Sequence, residues 1–179
     1  MEQKRDARGL TEAEAIARYR SRNYPKPALT ADIVVFTRQN DQLHVLLVER
    51  GGHPFIGQLA LPGGFANENE PVEQTAAREL EEETGVCGIS MELVGVFSRP
   101  GRDPRGWVVS AVFAALVDGK ELSVCAGDDA ASAMWYQIEQ ESEALVLRRG
   151  EQRIDAAALA FDHAEILKCA MEKLNLTNR

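Results

Sequence analysis

Glu79, Glu82 and Glu83 fall within five positions of one another, in the run RELEEETG at 78–85. On a helix, residues three and four apart are neighbours, so all three carboxylates can share one broad edge. Like charges at that spacing repel and weaken the helix that carries them. By itself the run reads either as a solvated face or as a site with a cation among the side chains. Carboxylates are hard oxygen ligands, suited to Mg²⁺, Mn²⁺ or Ca²⁺ and not to a soft metal. Mg²⁺ usually enters a site with substrate phosphates, held by few protein carboxylates. Gly63 or Gly64 could add a backbone carbonyl, since glycine lets the chain approach an ion closely. The chemistry this favours is metal-assisted attack of water on a phosphoanhydride. Arg78, four before Glu82, can fix a carboxylate's orientation, while Glu81 points to solvent and Ala76, Leu80 and Thr84 offer a packing face.

As a spaced pattern, the segment is Gly64, five residues, Glu70, seven residues, Arg78-Glu79-Leu80, one residue, Glu82-Glu83, one residue, Gly85-Val86. This resembles the complete signature of the Nudix hydrolases, with no departure at any fixed position, and the wider resemblance covers residues 28–136. The resemblance implies an α/β fold, a Nudix-type α/β/α sandwich with a mixed β-sheet, in which the signature forms a loop-helix-loop. It also implies hydrolysis of nucleoside diphosphates linked to another moiety, with Mg²⁺ or Mn²⁺ as cofactor. By the same resemblance Glu79, Glu82 and Glu83 would bind metal beside Gly64. Arg78 would orient its neighbours, Glu70 would brace the loop through a salt bridge to an arginine, and Gly85 would close the helix. The Glu79 position serves as base in some members and as ligand in others.

A second stretch, FSRPGRDPRGWVV at 97–109, bears on the substrate. Arg99, Arg102 and Arg105 recur every third residue there, and a guanidinium fork matches phosphate oxygens. Read blandly, the stretch is a polar hairpin turn. It resembles the loop of ADP-ribose pyrophosphatases, in which a proline follows the signature by about 15 residues; here Pro100 stands 15 after Gly85. That resemblance implies conversion of ADP-ribose to AMP and ribose 5-phosphate, with Arg50, His53 and the three loop arginines as substrate-binding candidates. A nucleoside triphosphate pyrophosphohydrolase and a non-catalytic ADP-ribose sensor are the alternatives. No motif locates the base that activates water. Asp128 and Asp129 are candidates, favoured as extra ligands or their supports, as are Glu139, Glu141 and Glu143. Phe97 and Trp107 are open between stacking on adenine and strand packing; Trp135 is expected in the core and His163 in a structural role at a helix start.

These side chains need elements to hold them. TEAEAIARYR at 11–20 has helix-forming composition and a Thr cap, and NYPKP ends that helix. LTADIVVFTR and LHVLLVER flank QND and predict a hairpin. A helix is expected from Pro71 to Thr84, with proline in its first turn and Gly85 at its end. ELVGVFS, GWVVSAVFAALV and ASAMWYQI predict strands. FDHAEILKCAMEKL predicts a closing helix, with Ile166, Leu167, Met171 and Leu174 at helical period. Segment 139–158 predicts either a helix and loop or an insertion at a sheet edge. Its charge and lack of alternation argue against a core role. The organisation expected is a helical or extended segment over 1–27 and one Nudix domain over 28–179.

The 179 residues are 45% hydrophobic, enough for one domain with a real core. No apolar run approaches the ~18 residues of a membrane span, and no signal-type stretch opens the chain. A formal charge of -8, from 28 acids against 20 Lys and Arg, is the reverse of what a duplex binder carries. Neither membrane nor nucleic acid is expected as a partner; the expected partner is a small nucleoside-diphosphate-linked substrate. Cys87, Cys125 and Cys169 form no C-x-x-C pair and read as thiols of a reducing, cytoplasmic compartment. A homodimer is expected from the family resemblance.

Overall fold

A computed structural model describes residues 4–117, 130–142 and 144–176. The chain forms α1 (Glu12–Arg20), β1 (Ala28–Gln39), β2 (Gln42–Arg50), β3 (Leu59–Ala60), β4 (Gly63–Phe65) and α2 (Val72–Thr84). It continues through β5 (Glu92–Phe97), β6 (Val108–Val117), β7 (Ala130–Glu141), β8 (Ala144–Arg149), β9 (Gln152–Asp155) and α3 (His163–Lys173). The strands build one mixed sheet in the order β5-β6-β1-β2-β7-β8-β9, with β3 paired to β2 and β4 to β1. Only the central β1–β6 pair among these is parallel; the remaining pairs are antiparallel.

Strand β1 is buried on both faces, and its alternation assigns each face a helix. Ala31, Ile33 and Val35 pack with Ala76 and Leu80 of α2. Val34 and Phe36 face the other way, into the cluster that holds Ile166, Leu167 and Met171 of α3. The result is the expected α/β/α sandwich. Thr11 caps α1 in a capping box with Glu14. Gly85, in the left-handed region at φ 72°, ends α2 with its N–H on the Glu81 carbonyl.

In segment 139–158 the described residues hold the end of β7, then β8 and β9 at one end of the sheet, and no α-helix; the helix-and-loop alternative and the argument against a core role are corrected. Leu145, Val146 and Leu147 are buried, and Leu145 and Leu147 join the α3-side core. The run is short and apolar without alternation, which is how a strand buried on both faces reads. Trp135, expected in the core, is partly buried at the edge of the α2-side cluster. Among the described residues no helix is long and apolar enough to cross a membrane.

Candidate active site

Helix α2 buries Thr75, Ala76, Leu80 and Thr84 and turns its carboxylates toward β4. β4 is pinned against β1 through Asp32↔Gly63 and Ala31↔Gly64. The two glycines are needed for different reasons. A Cβ on Gly63, which has φ 153°, would run into the Ala31 carbonyl. A Cβ on Gly64 would fall onto the Glu79 carboxylate. The signature glycine is therefore the space that Glu79 occupies.

Arg78 is the hub of the signature. Its Nε and Nη2 donate to Glu70 at 2.9 and 3.1 Å, and its Nη1 donates to Glu79 at 2.6 Å and Glu82 at 2.9 Å. Nη2 also reaches the Phe65 carbonyl at 3.1 Å, tying the helix to the loop. Glu70 in turn accepts from the Asn67 N–H and the Thr75 hydroxyl. Arg78 above all, then the Asn67 N–H, hold Glu70 down at about 2. The brace expected for Glu70 is thus an ion pair within the signature itself.

The other two carboxylates are less compensated. Burial pushes Glu83 up to about 7, against the opposing Gly63 N–H, which donates to it at 3.0 Å. Burial likewise raises Glu79, despite its bond to Arg78. Glu79, Glu82 and Glu83 each keep one oxygen without a hydrogen bond among the described residues. Among those residues no three His, Cys, Asp or Glu groups converge into a finished metal shell. Arg78 holds two of the three carboxylates. The donor set still fits a hard divalent ion: Mg²⁺ needs only one or two carboxylates when substrate phosphates and water complete its shell.

Facing these acids is a cleft lined by Arg50, Phe65, Arg105, Phe161 and the two glycines. Its volume is about 70 Å³. The β2–β7 register shifts between Glu49 and Arg50, and such irregularities re-aim side chains beside active sites. The Arg50 guanidinium lies 4.8 Å from the Phe161 ring centre. Arg105 lies 4.7 Å from the Phe65 centre and 5.5 Å from that of Phe161. Burial, then the charge of Arg105, lower the pKa of Arg50. Asp103 grips Arg105 at 2.7–3.1 Å.

The structure sorts the remaining candidates. Arg102 is part of the cleft wall, but its guanidinium is buried and paired with Asp162 and Asp32. Arg99 lies on the outer surface, 3.7 Å from Glu165, and does not line the cleft. His53 is exposed and also absent from the lining. Glu139 pairs with Arg148 and lies beyond the Gln137↔His44 pair, some six residues from Arg50 along β2, roughly 20 Å at 3.3 Å per residue. It lines instead a cleft of about 490 Å³ with Arg38, Leu43 and Met171. That cleft is larger, and its Glu139 and Glu141 are held by Arg148 and Arg153. Asp128, Asp129 and Glu143 lie outside the described residues. Phe97 packs against the core and Trp107 is exposed. His163 starts α3 and accepts the Leu61 N–H through Nδ1 at 2.9 Å.

Sequence reasoning missed Asp32, Phe65, Asp103, Phe161 and Asp162 as parts of the site. Asp103 had a signal, because it lies two residues from Arg105. Phe65 directly follows Gly64 of the signature; Asp32, Phe161 and Asp162 are brought in from distant segments, and no local spacing marks them.

The arrangement of a glycine strand, an arginine-held acidic helix and a basic cleft agrees with the comparisons to known proteins. The model described as the NUDIX domain matches residues 26–157. The chain belongs to the Nudix family. It is a Nudix hydrolase by that match and by its similarity to the ADP-ribose pyrophosphatase of Methanocaldococcus jannaschii, 37% identical over 172 residues, 96% of this chain and 88% of that one. The ADPR responsive transcriptional repressor NtrR of Acinetobacter baylyi is 32% identical across 94% of this chain, which spans 63% of that protein. Among solved structures, the NUDIX domain of Shewanella oneidensis NrtR complexed with ADP ribose superposes with a TM-score of 0.74 at 33% identity. That match covers 92% of this chain and 99% of the other.

Proposed function

We propose that this Nudix hydrolase cleaves the diphosphate of ADP-ribose, giving AMP and ribose 5-phosphate, with Mg²⁺ or Mn²⁺ held by Glu79, Glu82 and Glu83. One observation carries the reading. Carboxylates short of positive charge lie beside a guanidinium short of negative charge: burial raises Glu83, and burial, then the charge of Arg105, lowers Arg50. A divalent ion with a diphosphate supplies what both halves lack. When bound, such an ion supplies Lewis-acid neutralisation of the phosphoanhydride oxygens and acidifies the attacking water.

The chain's own residues do the rest. Arg50 and Arg105 receive phosphate oxygens, and stacking on Phe161 and Phe65 keeps their planar forks fixed. Arg78 holds Glu79 and Glu82 by one oxygen each and leaves the other for the ion. Gly64 lets Glu79 lie against the strand. The M. jannaschii relative, named for this activity, supports ADP-ribose as the substrate over a nucleoside triphosphate.

The similarity to NtrR favours a second reading, in which ADP-ribose is sensed and not cleaved. The retained acidic set weighs against it, because binding alone gains little from mutually repelling carboxylates. Arg105→Met separates the two halves of the primary reading. It is expected to raise KM for ADP-ribose by about 10–100-fold with little change in kcat, the pattern of lost uniform binding. Steady-state kinetics at saturating metal would measure it; an unchanged KM would remove Arg105 from the substrate site.

A further inference from the structure

In the wall of the cleft, which Asp32, Arg102 and His163 help to line, side chains from distant parts of the chain meet in a buried network. Asp32 of β1 accepts from the Ser110 hydroxyl of β6 at 2.6 Å. Arg102 directs Nε and Nη2 at Asp162, at 2.9 and 2.7 Å, and Nη2 also reaches Asp32 at 3.3 Å. His163 follows, with Nε2 3.8 Å from Asp32. All five are buried. Stability alone is a weak reason for such a network, since a buried ion pair can often be replaced by apolar side chains without loss.

Its geometric effect is specific. Arg102 belongs to the loop between β5 and β6, and Asp162 immediately precedes α3. Each of those segments delivers one part of the cleft, three residues and one residue away. The loop delivers Arg105, and the chain before α3 delivers Phe161. Phe161 has φ 55°, a left-handed conformation that an aromatic residue keeps only where its surroundings over-determine it. The bidentate pair on its neighbour is such a constraint.

We propose that Arg102 is a positioning residue for substrate affinity: through Asp162 it locks Phe161 and Arg105 together, so that Arg50 and Arg105 present one preformed anion subsite. The proposal rests on the reading of this cleft as the diphosphate subsite. It assigns Arg102 no contact with substrate. A lysine there keeps the charge but loses the fork that fixes Asp162.

Asp162→Asn and Arg102→Lys test it in the full chain. Asp162→Asn leaves Arg102 one carboxylate partner, so it avoids an unpaired buried charge. Both variants are expected to raise KM for ADP-ribose about tenfold with kcat within about twofold, the signature of a misplaced binding group. Mn²⁺ affinity should stay at the wild-type value. Backbone hydrogen exchange should quicken in 98–107 and 160–163 and stay unchanged in 72–84. An unchanged KM, or a parallel fall of kcat, Mn²⁺ affinity and exchange protection across the chain, would overturn the proposal. The exchange arm needs no turnover. If wild-type protein left ADP-ribose intact, the reading of the substrate would fail, yet locally quickened exchange would still support the lock and unchanged exchange would overturn it.

Discussion

Glu83→Gln is expected to abolish turnover and, above neutral pH, to make the protein more stable. The carboxylate is buried, and its pKa in the fold is pushed up to about 7 from an ordinary 4.5. A group whose folded pKa is raised takes up a proton on folding between those two values. Stability therefore falls as pH rises from 4.5 through 7, and stays lowered above 7 where Glu83 is charged. Each pKa unit is worth about 1.4 kcal/mol, so a neutral Gln should recover about 1–3 kcal/mol at pH 8 in metal-free buffer. Its amide oxygen can still accept from the Gly63 N–H. Below pH 4.5 both side chains are neutral and the advantage should vanish. Turnover should fall by about 10³-fold or more, because a carboxylate proposed to hold the divalent ion is gone. Paired urea titrations and kinetics at pH 5 and pH 8 would measure both effects. A variant less stable than wild type at pH 8 would show that Glu83 is compensated in the apo fold and is no strained ligand.

Gly64→Ala and Gly63→Ala should fail in opposite ways. At Gly64 the added Cβ meets only the end of the Glu79 side chain, which can swing aside. Folding should be nearly unaffected, within about 1 kcal/mol. Glu79 would lose its place against β4 and its bond to Arg78, and kcat/KM should fall by about 10²-fold or more. At Gly63 the Cβ meets the Ala31 carbonyl of a central strand, at a φ that favours glycine. That variant should lose several kcal/mol of stability, or fail to accumulate, through backbone strain and a broken β1–β4 pairing. Thermal unfolding beside kinetics would separate the two. Equal stability losses would mean that the Glu79 carboxylate cannot move, and that Gly64 supports the fold as much as the chemistry.

The two glycine positions also mark what was legible in the sequence. The helix, its carboxylate edge and its glycine end follow from spacing at three and four, and the structure keeps all of them. Strand β1 was legible because the β-branched and aromatic IVVF and the following LHVLLVER flank a polar QND turn. Segment 144–149 was not: ALVLRR has no alternation, since both faces of β8 are covered, and its charged flanks masked three core residues. Arg102 was misread for a different reason. Its periodicity with Arg99 and Arg105 is local, whereas its partners Asp32 and Asp162 lie 70 and 60 residues away. Spacing reports which residues share a loop; it does not report which of them the fold turns inward. Glu139 was proposed from acidity alone, and strand register carries it to the far end of the sheet. Phe161 was not singled out within LAFDHAEIL, because the contact that matters is with arginines from two other segments.

The measurement that tests the central claim most directly is product analysis with ADP-ribose beside a panel of dinucleotides and nucleoside triphosphates. It should be run with Mg²⁺, with Mn²⁺ and with EDTA, and repeated with the Glu82→Gln/Glu83→Gln double variant. The expected result is AMP and ribose 5-phosphate in equal amounts from ADP-ribose. That turnover should disappear with EDTA or the double variant, and ADP-ribose should have the highest kcat/KM of the panel. Tight ADP-ribose binding without products would contradict catalysis at this site. Pyrophosphate released from a triphosphate, with ADP-ribose left intact, would keep the acidic helix as the metal site and contradict the substrate assigned to the cleft.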